Sequence, residues 1–294
     1  MSGTDIPEDA GNGRMATMEG AAQGRADRWT KVEGAERVAE AAAKLQRLGG
    51  SAAESRVRER ALDLLALRPG EIVIDVGAGA GVLTVDLARR IAPGGRVFAV
   101  DPSAGLLERA RAATHDAGIG HLVDSRVADG RQLPFGVAAF DAAVCHWVLL
   151  HVERAQEVIG EMKRVTRRGG RVLSVEMDWE TAMVHPGERA VTRRILNHAA
   201  DRNLDPWIGR RLPGMFAAAG FAEVVVHPML MSDQGGDDRV WLEYLMERAS
   251  IALEAGVITR DDHALWNDGL EAAFAAGTFF FAVVQFAVLG RVPG

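Results

Sequence analysis

The feature that most constrains the fold is an alternation between residues 72 and 177. Short β-branched or apolar runs are separated there by amphipathic segments of about a dozen residues. The run "IVIDV" (72–76) is too short and too β-branched for a helix and reads as a first strand. "VLTVDLARRI" reads as a helix, "GGRVFAVD" as a strand and "AGLLERARAATHDAG" as a helix. "HLVDSRVAD" and "FDAAVCHWV" follow as strands, then "AQEVIGEMKRVT" as a helix and "GGRVLSVEM" as a strand. Strands alternating with helices of this length predict a parallel sheet covered by helices on both faces. The pairs Gly94–Gly95 and Gly169–Gly170 stand where helices must stop and strands begin.

On either side the rhythm differs. Residues 1–28 are polar and Gly-rich, without the apolar core of a signal peptide, and read as a flexible tail. Residues 29–68 read as a helical lid region, with a break at "GGS" (49–51). The main domain is expected over 69–294, with helical insertions at about 181–220 and 236–276. The second insertion is the natural place for a lid or a homodimer contact. The apolar stretch 272–290 is long enough to span a bilayer, but Gln285 lies within it and no basic flank marks an orientation. It reads instead as a helix ending at Gly277, followed by a buried strand. A net charge of −6 argues against a nucleic-acid partner. The single cysteine, Cys145, excludes an intrachain disulfide framework and a cysteine zinc cluster, and fits a reducing, cytoplasmic location. No His/Asp cluster has metal-ligand spacing.

In an open parallel sheet, ligands bind beyond the carboxyl ends of the strands, where strand order reverses. The chemistry-bearing residues fall there. Asp75 and the turn Gly77-x-Gly79-x-Gly81 follow the first strand, Asp101 ends the second and Asp129 the third. Cys145, His146 and Trp147 end the fourth strand, and Glu176 and Asp178 the fifth. A dinucleotide fingerprint would place its third glycine at Val82, and the acid before the turn suits a positive centre better than a pyrophosphate. Asp101, about twenty residues past the turn, can accept both hydroxyls of a ribose. Asp129, just before a polar loop, can accept from an exocyclic amine. Ribose and amine together suggest an adenosine.

Over residues 70–177 this combination resembles the class I S-adenosylmethionine-dependent methyltransferases of the small-molecule, quinone-biosynthesis and natural-product type. "DVGAGAG", "VFAVDPS", "SRVADGRQLPF" and "FDAAVCHWVLLHV" carry the resemblance by their order and spacing. It implies a Rossmann-like three-layer α/β sandwich. The seven-stranded sheet would be mostly parallel, with its last strand, around Phe279 to Leu289, antiparallel. It also implies S-adenosyl-L-methionine as cofactor and S-adenosyl-L-homocysteine as product. Gly77, Gly79 and Gly81 would approach the methionine part, with Asp75 orienting the turn and receiving the ammonium. Asp101, beside Pro102, would hold the ribose. Asp129, beside Gly130, would hold the adenine amine. Cys145 is grouped with the cofactor site by its position, although a small buried strand residue is its ordinary role.

Methyl transfer to a hydroxyl needs a proton acceptor, and His146, His151, Glu176 and Asp178 are the candidates at the strand ends. His146 is the favoured one; Asp178 and His151 follow. Trp29, Trp147, Trp179, Trp207, Trp241 and Tyr244 are candidates to line an apolar acceptor pocket, each with core packing as its ordinary alternative. No Asn/Asp-Pro-Pro-Tyr/Phe motif follows the fourth strand, which disfavours adenine or glutamine-amide acceptors. The expected activity is O-, C- or N-methylation of a small molecule in secondary metabolism. The alternatives are a non-methylating cyclase or decarboxylase on the same fold, and a protein methyltransferase or cofactor-bound regulatory module.

Overall fold

The computed structural model describes residue 32 and residues 34–235 and 238–294. Trp29, proposed for the acceptor pocket, and the whole of 1–28 lie outside the described residues. The chain enters through two helices, α1 (Ala35–Gly50) and α2 (Ala52–Leu65). The break between them falls at Ser51, whose hydroxyl accepts from Glu54 N as the N-cap of α2 and donates to Leu48 O.

Next comes the alternating region. It runs β1 (Ile72–Val76), α3 (Val82–Ile91), β2 (Arg96–Asp101), α4 (Ala104–Asp116), β3 (Val123–Val127), β4 (Phe140–His146) and α5 (Ala155–Val165). The chain continues through β5 (Thr166–His185), α6 (Arg189–Ala200), α7 (Ile208–Ala218) and β6 (Ala222–Asp233). It closes with α8 (Val240–Glu254), α9 (Arg260–Ala275) and β7 (Phe280–Arg291).

The seven strands form one sheet in the order β3-β2-β1-β4-β5-β7-β6. The pairs from β3 to β5 are parallel, and β7 is antiparallel to both β5 and β6. Helices cover both faces, so the central strands are apolar along their length: Val73, Ile74 and Val144 are within 1% of full burial. Strand order reverses between β1 and β4, which places the ligand crevice beyond Val76 and His146.

The segment with bilayer-spanning length resolves into the end of α9 and the buried strand β7. No helix among the described residues is long and apolar enough to cross a membrane. One strand is longer than its sequence pattern suggests. β5 runs on past Met177 to His185, because β7 continues to pair with it beyond an irregularity between Asp178 and Met183. The inserted helices are not separate from the core. α6 packs on α8 and on β5, and Trp241, Leu242 and Leu245 of α8 are fully buried.

Candidate cofactor and acceptor site

The β1–α3 turn is built by three glycines with φ values of +78°, +53° and +87° at Gly77, Gly79 and Gly81. All three lie in the left-handed region that L side chains rarely adopt. Their surroundings differ. A Cβ on Gly77 would stand 2.4 Å from Val148 Cγ2, so the β4 loop closes directly over this turn. A Cβ on Gly81 would stand 2.8 Å from the Cα of Ala110, so this glycine lets α3 meet α4 and does not border the cavity. Gly81, expected from the sequence to approach the cofactor, here packs α3 against α4. Gly77 N and Ala78 N donate to Val100 O, which locks the turn against β2.

Asp75 and Asp101 line the cavity from the ends of β1 and β2. Asp75 is buried and accepts from the Thr84 hydroxyl at 2.6 Å. Burial pushes its carboxyl up to about 7, against the lowering effect of Thr84, and the Asp101 charge adds to the rise. Asp101 accepts from Gly79 N and from Ser103 N, both at 2.9 Å, one on each oxygen. Burial raises its carboxyl as well, opposed by those two backbone donors. A carboxylate has about four acceptor positions, so each oxygen keeps one for a ligand hydroxyl. Pro102, Asp129 and Gly130 complete this end of the cavity. Asp129 is already held by Arg131, Nη2 to Oδ2 at 2.6 Å, and that guanidinium lowers its carboxyl.

From α1, Leu45, Leu48 and Gly49 reach the same cavity, which has a volume of about 520 Å³. Its other wall carries His146, Trp147, His151, Trp179, Trp241 and Tyr244. Trp179 and Tyr244 are stacked with centroids 5.6 Å apart, and Trp241 meets Trp147 and Tyr244 edge to face.

His146 Nε2 lies 3.0 Å from Glu54 Oε1, within ion-pair distance but off the line of a hydrogen bond. Glu54, fully buried at the start of α2, is held in place by Gln285 Nε2, which donates to its Oε2 at 2.5 Å. Gln285 in turn accepts from Trp147 Nε1 at 3.2 Å. Residues from α2, β4 and β7 thus brace one histidine at the cavity wall.

Four other predicted residues stand elsewhere. Cys145 is fully buried and donates to Ser174 Oγ, because strand alternation turns it away from the face that carries His146. Asp178 is buried in a two-pronged ion pair with Arg210 of α7, with Oδ1 2.7 Å from Nη2, and does not border the cavity. Trp207 is 38% exposed, outside the cavity, with the guanidinium groups of Arg210 and Arg211 over its ring. Glu176 is also outside it. Its Oε1 accepts from Val148 N at 2.9 Å and Leu149 N at 2.7 Å, which anchors the loop that follows His146.

Burial raises Glu176 from 4.5 to about 8, against the backbone hydrogen bonds. A folded-state value above the unfolded one means that the folded protein holds the extra proton. Its stabilising contribution is complete below pH 4.5 and is lost as pH rises through about 8. Glu176→Gln keeps an acceptor for both amides and removes this titration. In thermal melts the Tm difference, variant minus wild type, is expected to grow as pH rises from 4.5 to about 8. A constant or shrinking difference would show that Glu176 is not held protonated by the fold.

Residues 74–174 match the family model described as "Methyltransferase domain". Residues 74–174, about a third of the chain, thus form a methyltransferase domain. It is 32% identical over 234 residues to an uncharacterized 37.1 kDa protein in transposon TN4556 of Streptomyces fradiae, covering 78% of this chain and 65% of that one. It is 33% identical over 109 residues to the demethylmenaquinone methyltransferase of Symbiobacterium thermophilum, covering 37% and 43% of the two chains. The chain therefore spans less than two thirds of the length of both relatives. Among solved structures, the YcgJ protein of Bacillus subtilis shares this methyltransferase fold with a TM-score of 0.55 at 17% identity, covering 82% of this chain and 99% of its own.

Proposed function

We propose that this methyltransferase binds S-adenosylmethionine at the Asp75–Asp101 end of the cavity and methylates a small-molecule acceptor at the aromatic end. The observation that carries the reading is the single cavity lined both by the glycine turn with Asp101 and by His146 with Trp147, Trp179, Trp241 and Tyr244. The residues fit the cofactor. Gly77 and Gly79 bring positive-φ backbone to the cavity wall where the methionine portion would lie, and Asp101 presents spare acceptor capacity for a ribose.

When bound, the cofactor supplies a methyl group on a sulfonium, and its displacement leaves S-adenosylhomocysteine. The chain's own task is alignment, exclusion of water and removal of one proton. The aromatic walls orient a flat acceptor. His146 takes the proton released as the new bond to the acceptor forms, and Glu54 stabilises the imidazolium that results. This chemistry suits a hydroxyl or another acidic acceptor atom, and a hydroxylated aromatic secondary metabolite is the acceptor class proposed.

The test is incubation with methyl-labelled cofactor and panels of hydroxylated aromatics. Label should appear in a small-molecule product. His146→Gln should lower kcat by about a hundredfold or more, with S-adenosylhomocysteine affinity held within about twofold. Label retained in the cofactor while a product forms would overturn methyl transfer. Label in a macromolecular fraction would overturn the small-molecule acceptor.

A further inference from the structure

The aromatic end of the cavity contains guanidinium nitrogens that are buried and have no hydrogen-bond acceptor. Arg248 of α8 is 5% exposed, and its guanidinium lies 4.7 Å from the centre of the Tyr244 ring, which stacks on Trp179. Its Nη2 is 2.6 Å from Glu247 Oε1 but is not aligned for a hydrogen bond, and its Nε has no hydrogen-bond partner. Glu247 is not reserved for Arg248, because Lys44 Nζ donates to both of its oxygens at 2.6 and 2.9 Å. Across the same cavity, Arg202 Nε and Trp179 Nε1 are buried and also without hydrogen-bond partners. Such donors can be satisfied only by acceptors, and a guanidinium keeps its charge at any ordinary pH. Leaving them unmatched is destabilising, more so where the group is charged.

We propose that the acceptor is an anion: a flat apolar body, stacked among Trp179, Trp241 and Tyr244, that carries a carboxylate or related oxyanion received by Arg248 and Arg202. Trp179 Nε1 supplies a neutral donor beside it. This assignment rests on the reading of the aromatic end as the acceptor site. It adds the charge that the acceptor must bring. An uncharged analogue of the same shape leaves the Nε donors of Arg248 and Arg202 without an acceptor, so the pocket discriminates against it.

The experiment uses the full chain and two fluorescent probes of nearly the same shape, anilinonaphthalene sulfonate and the uncharged phenylnaphthylamine. Both are titrated with and without saturating S-adenosylhomocysteine. The wild type should bind the sulfonate more tightly than the neutral probe. Arg248→Gln should raise the sulfonate dissociation constant about tenfold or more and move the neutral probe by less than about twofold. Arg248→Lys keeps the charge and should retain most of the preference, which separates charge from packing. Arg202→Gln should weaken the sulfonate selectively as well. Equal weakening of both probes, or no response of the sulfonate to Arg248→Gln, would overturn the proposal. So would a selective loss of S-adenosylhomocysteine affinity in Arg248→Gln, since Arg248 would then serve the cofactor. Failure of the cofactor reading gives a different result: wild type that selects the sulfonate but does not bind S-adenosylhomocysteine.

Discussion

Asp101→Ala should lower the affinity for S-adenosylhomocysteine by about a hundredfold or more while leaving the fold intact. Asp101 sits at the tip of β2, and its two oxygens are already oriented by Gly79 N and Ser103 N. A ribose would use the remaining acceptor position on each oxygen. Two hydrogen bonds to a charged acceptor contribute about 1.5–3 kcal/mol each, which sets the size of the loss. Alanine also releases the Gly79 amide, so the turn loses part of its shape. Asp101→Asn keeps one carbonyl acceptor and should fall between alanine and wild type. Isothermal titration measures all three. Unchanged affinity in the alanine variant would remove Asp101 from the cofactor site.

Gly81→Ala should destabilise the protein by about 2–4 kcal/mol, through strain and overlap together. The residue has φ +87°, and its added methyl would stand 2.8 Å from both Cα and Cβ of Ala110. Backbone must move, because no flexible side-chain tip is available to give way. Gly118 provides the control. It has φ +74° with nothing within 4 Å of an added Cβ, so Gly118→Ala reports strain alone, expected at about 1 kcal/mol. Denaturant melts should therefore separate the two variants by at least about 1 kcal/mol. Equal losses would mean that the contact between α3 and α4 yields freely. Since Gly81 does not border the cavity, the folded variant should still bind cofactor.

The proposed cofactor end of this site is legible in the sequence because it is local. Asp75, Gly77 and Gly79 are fixed by one turn, and Asp101 and Asp129 by their positions after successive strands. Order along the chain is then nearly order in space. Where that shortcut fails, the reading fails with it. Cys145 follows the correct strand but faces away, a one-residue parity that position along the chain does not report. Asp178 reads as a base from its place at the end of β5; its partner Arg210, 32 residues on, shows only when α7 packs on β5. Nothing in the local sequence marks Glu54. Its partner Gln285 is 231 residues away and reaches it only because β7 inserts between β5 and β6. Gln285, the one polar residue of the run 279–289, is the available signal: a buried glutamine needs a partner. Arg202 and Arg248 lie in helical insertions without a recognisable motif, and only tertiary packing shows their Nε atoms to be unmatched.

On the proposed reading, the turn after β1 serves an adenosyl amino acid and not a dinucleotide. Calorimetric titration of the wild-type chain with S-adenosylhomocysteine and, separately, with NAD⁺ tests this directly. Saturable binding of one S-adenosylhomocysteine per chain is expected, with no detectable heat from NAD⁺. Saturable NAD⁺ binding with no response to S-adenosylhomocysteine would contradict it.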